Sequence, residues 1–237
     1  MQKIIKWING ECSGWKKAEV IWFSFCVFAT IAGSCYLQDN LIGITTAVTG
    51  IFYTLLAGKG KISCYGFGIV NSFLYGLVSF EERLYGEVML NWGWYFPMMF
   101  AGIFFWGKNL DSQKIIKKTT LSPKERGVYY SCSAAAIIVY SVFLYYLNDS
   151  QPITDSITTI LSVTAMILTV RRCADQWILW TIVNVVSILM WFRAFRLDGE
   201  SVAILFMWIV ALANGIIFYF QWYKDIHNAR QVNSNTR

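Results

Sequence analysis

Eight apolar stretches, roughly 20–37, 41–57, 62–80, 86–107, 127–147, 153–170, 176–195 and 201–223, succeed one another along a chain of 237 residues with little between them. Each has the length of about 17–25 residues that carries an α-helix across the hydrocarbon core of a bilayer. A β-barrel needs alternating segments of about 10 residues separated by frequent turns, and long apolar runs with three prolines do not supply them. The chain is 56% apolar and 14% charged, against about 45–50% and about 25% in soluble domains, which excludes a water-soluble, disordered or collagen-like protein. The fold class is therefore an all-α membrane protein of eight transmembrane helices. The first 19 residues show no small-residue cleavage site after an apolar stretch and seven more spans come after the first, so the first span reads as a retained helix and not as a signal peptide.

Lys and Arg are retained on the cytoplasmic side of a membrane, and here 17 of the 20 fall in one set of alternate segments. These are the N-terminal Lys3, Lys6, Lys16 and Lys17, the pair Lys59 and Lys61, the six of the 108–126 loop, Arg171 and Arg172, and Lys224, Arg230 and Arg237. Arg83, Arg193 and Arg196 fall opposite, in company with Glu81, Glu82, Glu87, Asp198 and Glu200. Both termini are thus expected in the cytoplasm. The net charge of +6 orients the chain, and no nucleic-acid partner is expected, since that would need one clustered basic groove.

The six cysteines, Cys12, Cys26, Cys35, Cys64, Cys132 and Cys173, contain no Cys-x-x-Cys pair, and His227 is the single histidine. They read as small apolar fillers, with no metal site and no cofactor expected. No nucleophile elbow, Walker lysine loop or His/Cys/Asp constellation is present, so an enzyme has no residues to stand on. Ser122-Pro123-Lys124-Glu125 carries the Ser, Pro and Glu spacing of a helix start and opens the fifth span.

Sliding the sequence on itself by 113 residues aligns 44–108 with 157–221 without a gap, with 14 identities. Ile44-Thr45-Thr46 returns as Ile157-Thr158-Thr159, Ile69-Val70-Asn71 as Ile182-Val183-Asn184, Arg83-Leu84 and Gly86-Glu87 as Arg196-Leu197 and Gly199-Glu200, and Gly102-Ile103 with Phe105 as Gly215-Ile216 with Phe218. The unit is three helices. An odd unit inverts if joined directly, so the fifth span serves as the linker that makes the two copies parallel, a transporter plan with its substrate site near the midplane between the repeats. The expected organisation is an N-terminal segment and first helix (1–40), a first three-helix bundle (41–108), a cytoplasmic loop and linker helix (109–150), a second bundle (151–223) and a polar cytoplasmic tail (224–237).

Polar groups held in hydrocarbon face a cavity, a partner helix or a substrate. In span seven, Trp177, Trp180, Asn184, Ser187 and Trp191 share one helical face. Such a face stacks a flat ring against indoles and hydrogen-bonds an amide or hydroxyl beside it, and a cationic ring gains a further ~0.5–2 kcal/mol. The structural alternative is an interfacial Trp at the start of the span and an Asn that bonds a neighbouring helix. Asn71, the repeat mate of Asn184, together with Asn91 and Asn214, carries the same two readings, ligand contact or helix–helix bond. Pro97 should kink span four. All 14 acidic residues fall at span ends or in loops, which leaves no carboxylate placed mid-membrane to couple an ion, so passive facilitation is the expectation.

Trp177-x-x-Trp180-x-x-x-Asn184, preceded by Asp155-Ser156-Ile157-Thr158-Thr159-Ile160-Leu161-Ser162 and paired with Arg83-Leu84-Tyr85-Gly86-Glu87, resembles the PnuC family over about residues 20–223. The resemblance implies a multi-pass transporter of nicotinamide riboside in the bacterial inner membrane, with the three-plus-one-plus-three, SWEET-like helix plan. It implies substrate contacts by Trp177, Trp180 and Asn184, net uptake driven by cytoplasmic phosphorylation of the product, and a homo-oligomer. Asn91 and Met166 stand where many relatives carry Gln. The competing expectations are uptake of another flat vitamin, such as thiamine or riboflavin, and a membrane interaction protein that transports nothing.

Overall fold

Each expected span is a helix, and short polar residues mark where several of them begin. The computed structural model describes residues 14–81, 85–110, 115–146, 152–198 and 202–235. Its helices are α1 (Lys17–Tyr36), α2 (Leu41–Gly58), α3 (Cys64–Glu81), α4 (Tyr85–Val88), a π-helical segment π1 (Met89–Tyr95), α5 (Phe96–Gly107), α6 (Pro123–Tyr146), α7 (Pro152–Val170), α8 (Gln176–Asp198) and α9 (Val202–Asn235). There is no strand among the described residues, only two isolated bridges, Leu110 with Ile116 and Thr119 with Cys173. The repeat residues Arg83, Leu84, Gly199 and Glu200, together with the basic residues Lys3 and Lys6 and Cys12, lie outside the described residues.

Asn40 caps α2 by accepting from the Gly43 N–H at 2.6 Å, which satisfies one of the donors a helix start leaves open. Ser122 and Glu125 form the reciprocal pair predicted for α6: the Ser122 N–H donates to Glu125 Oε2 at 2.9 Å and the Glu125 N–H to Ser122 Oγ at 3.3 Å. Gly60, at φ +70°, turns the chain out of α2 in a conformation that costs glycine nothing.

Among the described residues seven helices are long and apolar enough to span a bilayer, with α4, π1 and α5 counted as one. Helix α3 is 18 residues long but less apolar, because Tyr65, Asn71, Ser72, Tyr75 and Ser79 interrupt it. All of these except the partly buried Asn71 are buried against other helices, so the sequence that weakens its membrane signature is what fits it to the interior. The outer helices show the reverse pattern. Helix α1 leaves Val20, Ile21, Phe25 and Phe28 exposed, and α6 leaves Ile138, Val139, Val142 and Phe143 exposed, as faces turned to lipid would be.

The contacts close a ring. Helix α2 packs on α3, α3 on π1 and α5, α5 on α7, α7 on α8, α8 on α9, and α9 back on α2. Helix α1 lies outside the α2–α9 seam and α6 outside α7. At Gly102 of α5 a Cβ would collide with the Tyr65 ring of α3, so the missing side chain sets how closely these two helices approach.

One end of the ring gathers the basic loops. The Ile116 N–H donates to Gly60 O, the Thr119 N–H to Arg172 O and the Ala174 N–H to Thr119 O, while Lys59 pairs with Glu19 at 2.8 Å and Arg126 with Asp175 at 2.6 Å. Asp175 has no exposed side-chain surface and accepts from the Leu121 N–H (2.9 Å), the Thr120 hydroxyl (3.1 Å), the Arg126 Nε–H (2.6 Å), the Tyr223 hydroxyl (3.1 Å) and the Cys173 thiol (3.2 Å). Its burial works to raise its pKa, but the Leu121 N–H and the Arg126 guanidinium outweigh that and hold it below the usual aspartate range. The same surroundings push the Cys173 thiol up to about 12, burial being the main cause.

Candidate functional site

Six packed elements around an axis leave the middle open when the side chains that point inward do not meet. Here they line a pocket between the helices, a position where small-molecule sites in bundles are often found. Five of the six residues singled out in the sequence stand in its wall: Trp177, Trp180 and Asn184 from α8, Asn71 from α3 and Asn91 from π1.

On α8 the inward stripe is continuous. Trp177 and Asn184 are each 3% exposed, and Ser187 and Trp191 further along the face are also buried. Trp180 donates from Nε1 to Thr169 Oγ1 at 3.0 Å and leans on Tyr95, with ring centroids 6.0 Å apart at 46°. Trp177 packs between Phe218 and Trp222, and its Nε1–H has no protein partner. Across the cavity, Asn71 Nδ2 donates to Thr46 O at 2.8 Å. Trp208 of α9 donates to the Tyr75 hydroxyl at 3.3 Å, which sets a further indole and a phenol in the wall. The Tyr53 hydroxyl reaches Met166 Sδ at 3.8 Å, so two residues related by the offset of 113 meet inside the ring.

Asn214 is placed elsewhere. It is fully buried, does not line the cavity, and accepts from Trp22 Nε1 at 2.9 Å. This is the helix–helix bond that the sequence left as one of two readings, and it holds α1 against α9.

Pro97 acts one step earlier in the chain than a simple kink would. Its nitrogen carries no hydrogen for the carbonyl four residues back, and the preceding turns widen into the π-helical Met89–Tyr95, where the Phe96 N–H bonds Asn91 O five residues behind it. Such segments recur at functional sites. Glu87, Asn91 and Tyr95, spaced by four, all line the cavity. Asn91 Nδ2 donates to Glu87 O at 2.9 Å and lies 3.5 Å from Glu87 Oε2. Glu87 is thus one of the span-end carboxylates of the sequence, and the structure turns it inward.

Gln176 carries no mark in the sequence that singles it out, yet it belongs to the same wall. It is 1% exposed, lines the cavity, and neither atom of its amide has a protein partner. It lies four residues before Trp180 and eight before Asn184, so extending the same helical stripe one turn back would have found it. Among the described residues no group of His, Cys, Asp and Glu is placed to hold a metal, and no Lys, Arg or His lines the cavity. What the wall offers is aromatic faces, amides with open hydrogen-bonding capacity and one carboxylate, a surface for a flat polar molecule that is neutral or positively charged.

Comparison with known proteins agrees with this architecture. A family model described as nicotinamide mononucleotide transporter matches residues 40–224. The nicotinamide riboside transporter PnuC of Neisseria mucosa is 31% identical over 224 residues, covering 92% of this chain and 85% of that protein. The protein of the same name from Haemophilus influenzae is 30% identical over 216 residues, covering 90% and 92%. The crystal structure of a vitamin B3 transporter PnuC superposes with a TM-score of 0.84 at 31% identity, over 92% of this chain and 96% of that one. With six helical elements around a central cavity, two more helices outside them and a match over most of its length, the chain belongs to the PnuC family of multi-pass membrane proteins, whose named members are transporters and not enzymes.

Proposed function

We propose that this chain carries nicotinamide riboside across the bacterial inner membrane by facilitated diffusion, with both termini in the cytoplasm. The observation that carries this reading is the chemistry of the cavity wall: Trp177, Trp180, Tyr95 and Trp208, the amides of Asn71, Asn91, Asn184 and Gln176, and no basic side chain among the described lining residues. Nicotinamide riboside is a flat pyridinium with a carboxamide and a ribose. Indoles stack such a ring and attract its charge, while Asn and Gln side chains match its amide and hydroxyls. The names of the relatives and of the family model differ by one phosphate. A phosphate in this wall would sit beside a carboxylate with no Lys or Arg to meet it, at a cost of several kcal/mol, which favours the riboside over the mononucleotide.

The two three-helix bundles, 41–108 and 151–223, rock about this site and open it to each side in turn. Net uptake comes from cytoplasmic phosphorylation, which gives the product a charge that the cavity rejects. The basic loops face the cytoplasm, and the lipid-facing helices leave room for a homo-oligomer. Isothermal titration of the purified protein with nicotinamide riboside and with its mononucleotide tests the reading. The riboside binds and the mononucleotide binds at least ~100-fold more weakly. Equal affinities, or displacement of the riboside by thiamine or riboflavin at similar concentration, contradict it.

A further inference from the structure

Glu87 occupies a place that ring stacking and amide pairing do not explain. It sits in the first turn of the span that runs through α4, π1 and α5, at the cavity end away from the basic loops, and its side chain is part of the wall. The four ion pairs among the described residues, Lys59–Glu19, Lys118–Asp225, Arg126–Asp175 and Arg171–Glu125, all lie at the opposite end. None includes Glu87. Its nearest side-chain donor is Asn91 Nδ2 at 3.5 Å, an amide whose closer bond goes to Glu87 O at 2.9 Å. Asp155, in the first turn of α7, is near enough to act on it electrostatically, so this end of the cavity carries two acidic groups.

Glu87 is half-buried, and a carboxylate partly withdrawn from water without a positive partner is costly to keep ionised. The aromatic faces of Tyr95 and Trp208 in the same wall are also the negative faces of their rings. None of the described residues that line the cavity supplies a positive charge to it.

We propose that Glu87 is the counter-charge that selects a cationic ligand ring, so that the carrier distinguishes a pyridinium riboside from an analogue of the same shape without the charge. This rests on the riboside reading above and adds to it a specificity-determining residue. The fixed charge of the ring supplies the partner that Glu87 lacks. An analogue without that charge leaves the carboxylate desolvated and unpaired, and one that adds a ring carboxylate sets like charges against each other.

The test is isothermal titration of the full chain in lipid nanodiscs, as wild type and as Glu87→Gln, with nicotinamide riboside and with its neutral 1,4-dihydro form. The two ligands share the carboxamide and the ribose and differ in ring charge. The wild type prefers the cation by at least about tenfold, and Glu87→Gln reduces the preference to less than about threefold by weakening the cation while the neutral form is little changed. A preference that survives in Glu87→Gln overturns the proposal. So does a wild type that binds both forms equally, an outcome that needs no variant and stands even if Glu87→Gln fails to fold. Binding of the riboside without charge preference removes only the role of Glu87, whereas a wild type that binds neither form removes the riboside reading as well.

Discussion

Trp180 and Asn184 are one helical turn apart on α8, and both face the cavity. Trp180 is held by its bond to Thr169 and by the Tyr95 ring, so the indole is pre-positioned and loses little freedom when a ligand stacks on it. Trp180→Ala and Asn184→Ala are each expected to weaken nicotinamide riboside binding by roughly 1–3 kcal/mol, the range for a lost aromatic contact or an unsatisfied buried partner. Asn214→Ala is the matched comparison: titration shows its affinity unchanged, while its melting temperature falls because the Trp22 N–H loses its acceptor, a change of about 1 kcal/mol. Equal losses of affinity in all three variants would contradict the assignment. The α8 face was legible in the sequence because a helix of known period needs only spacing to say which residues share a side. Glu87 was not, because a carboxylate at the end of a span reads as a marker of the membrane boundary, and only the course of the backbone beyond it decides whether it faces the interior.

The segment from Tyr85 to Gly107 shows the same limit at the scale of an element. Its length and apolarity place it across the membrane, and Pro97 announces an interruption, but a missing N–H does not say how the helix will absorb it. In the structure it is absorbed by the π-helical turns of Met89–Tyr95, which change the angular position of Glu87 and Asn91 relative to α5. A residue gained or lost in a helix rotates the two flanking parts relative to each other by about 100°, so this local winding decides whether those two side chains reach the cavity. Pro97→Ala restores the missing donor and favours ordinary winding. It is expected to weaken riboside binding by about 1 kcal/mol, the value of one net polar contact, without lowering the melting temperature. Unchanged affinity would show that the π-helical turns have another cause. Helix α3 was legible as an apolar stretch although it is less apolar than the seven other spans, because the Gly, Ser and Tyr positions that dilute its signal are where α2, α5 and the cavity meet it.

Across the whole molecule, the ring of helices is tied at its basic end by Asp175, which joins the 115–122 loop, α6 and α9 to the start of α8. The hydropathy and charge pattern indicated which loops share that end, but not that one buried carboxylate would collect their donors, since those donors come from segments as far apart as Leu121 and Tyr223. Because the folded-state pKa of Asp175 lies below the ordinary value of 3.8, the ionised form is favoured by folding. Its contribution to stability is complete above that value and is lost as pH falls through the lower folded one. Asp175→Asn is expected to lower stability at pH 7 by about 2 kcal/mol, the share of Arg126 being reduced because its guanidinium is partly exposed. Thermal melts should show the gap from wild type closing in the most acidic buffers; a gap constant with pH would assign the effect to packing. On the proposed function, the carrier moves a single positive charge per ligand. The most direct test is the steady-state ratio of labelled nicotinamide riboside inside and outside proteoliposomes as a function of imposed membrane potential. A facilitated cation carrier reaches a ratio of one at zero potential and gains about tenfold for each ~60 mV, inside negative. Accumulation at zero potential, a ratio that ignores the potential, or no flux beyond that of protein-free vesicles would contradict the account.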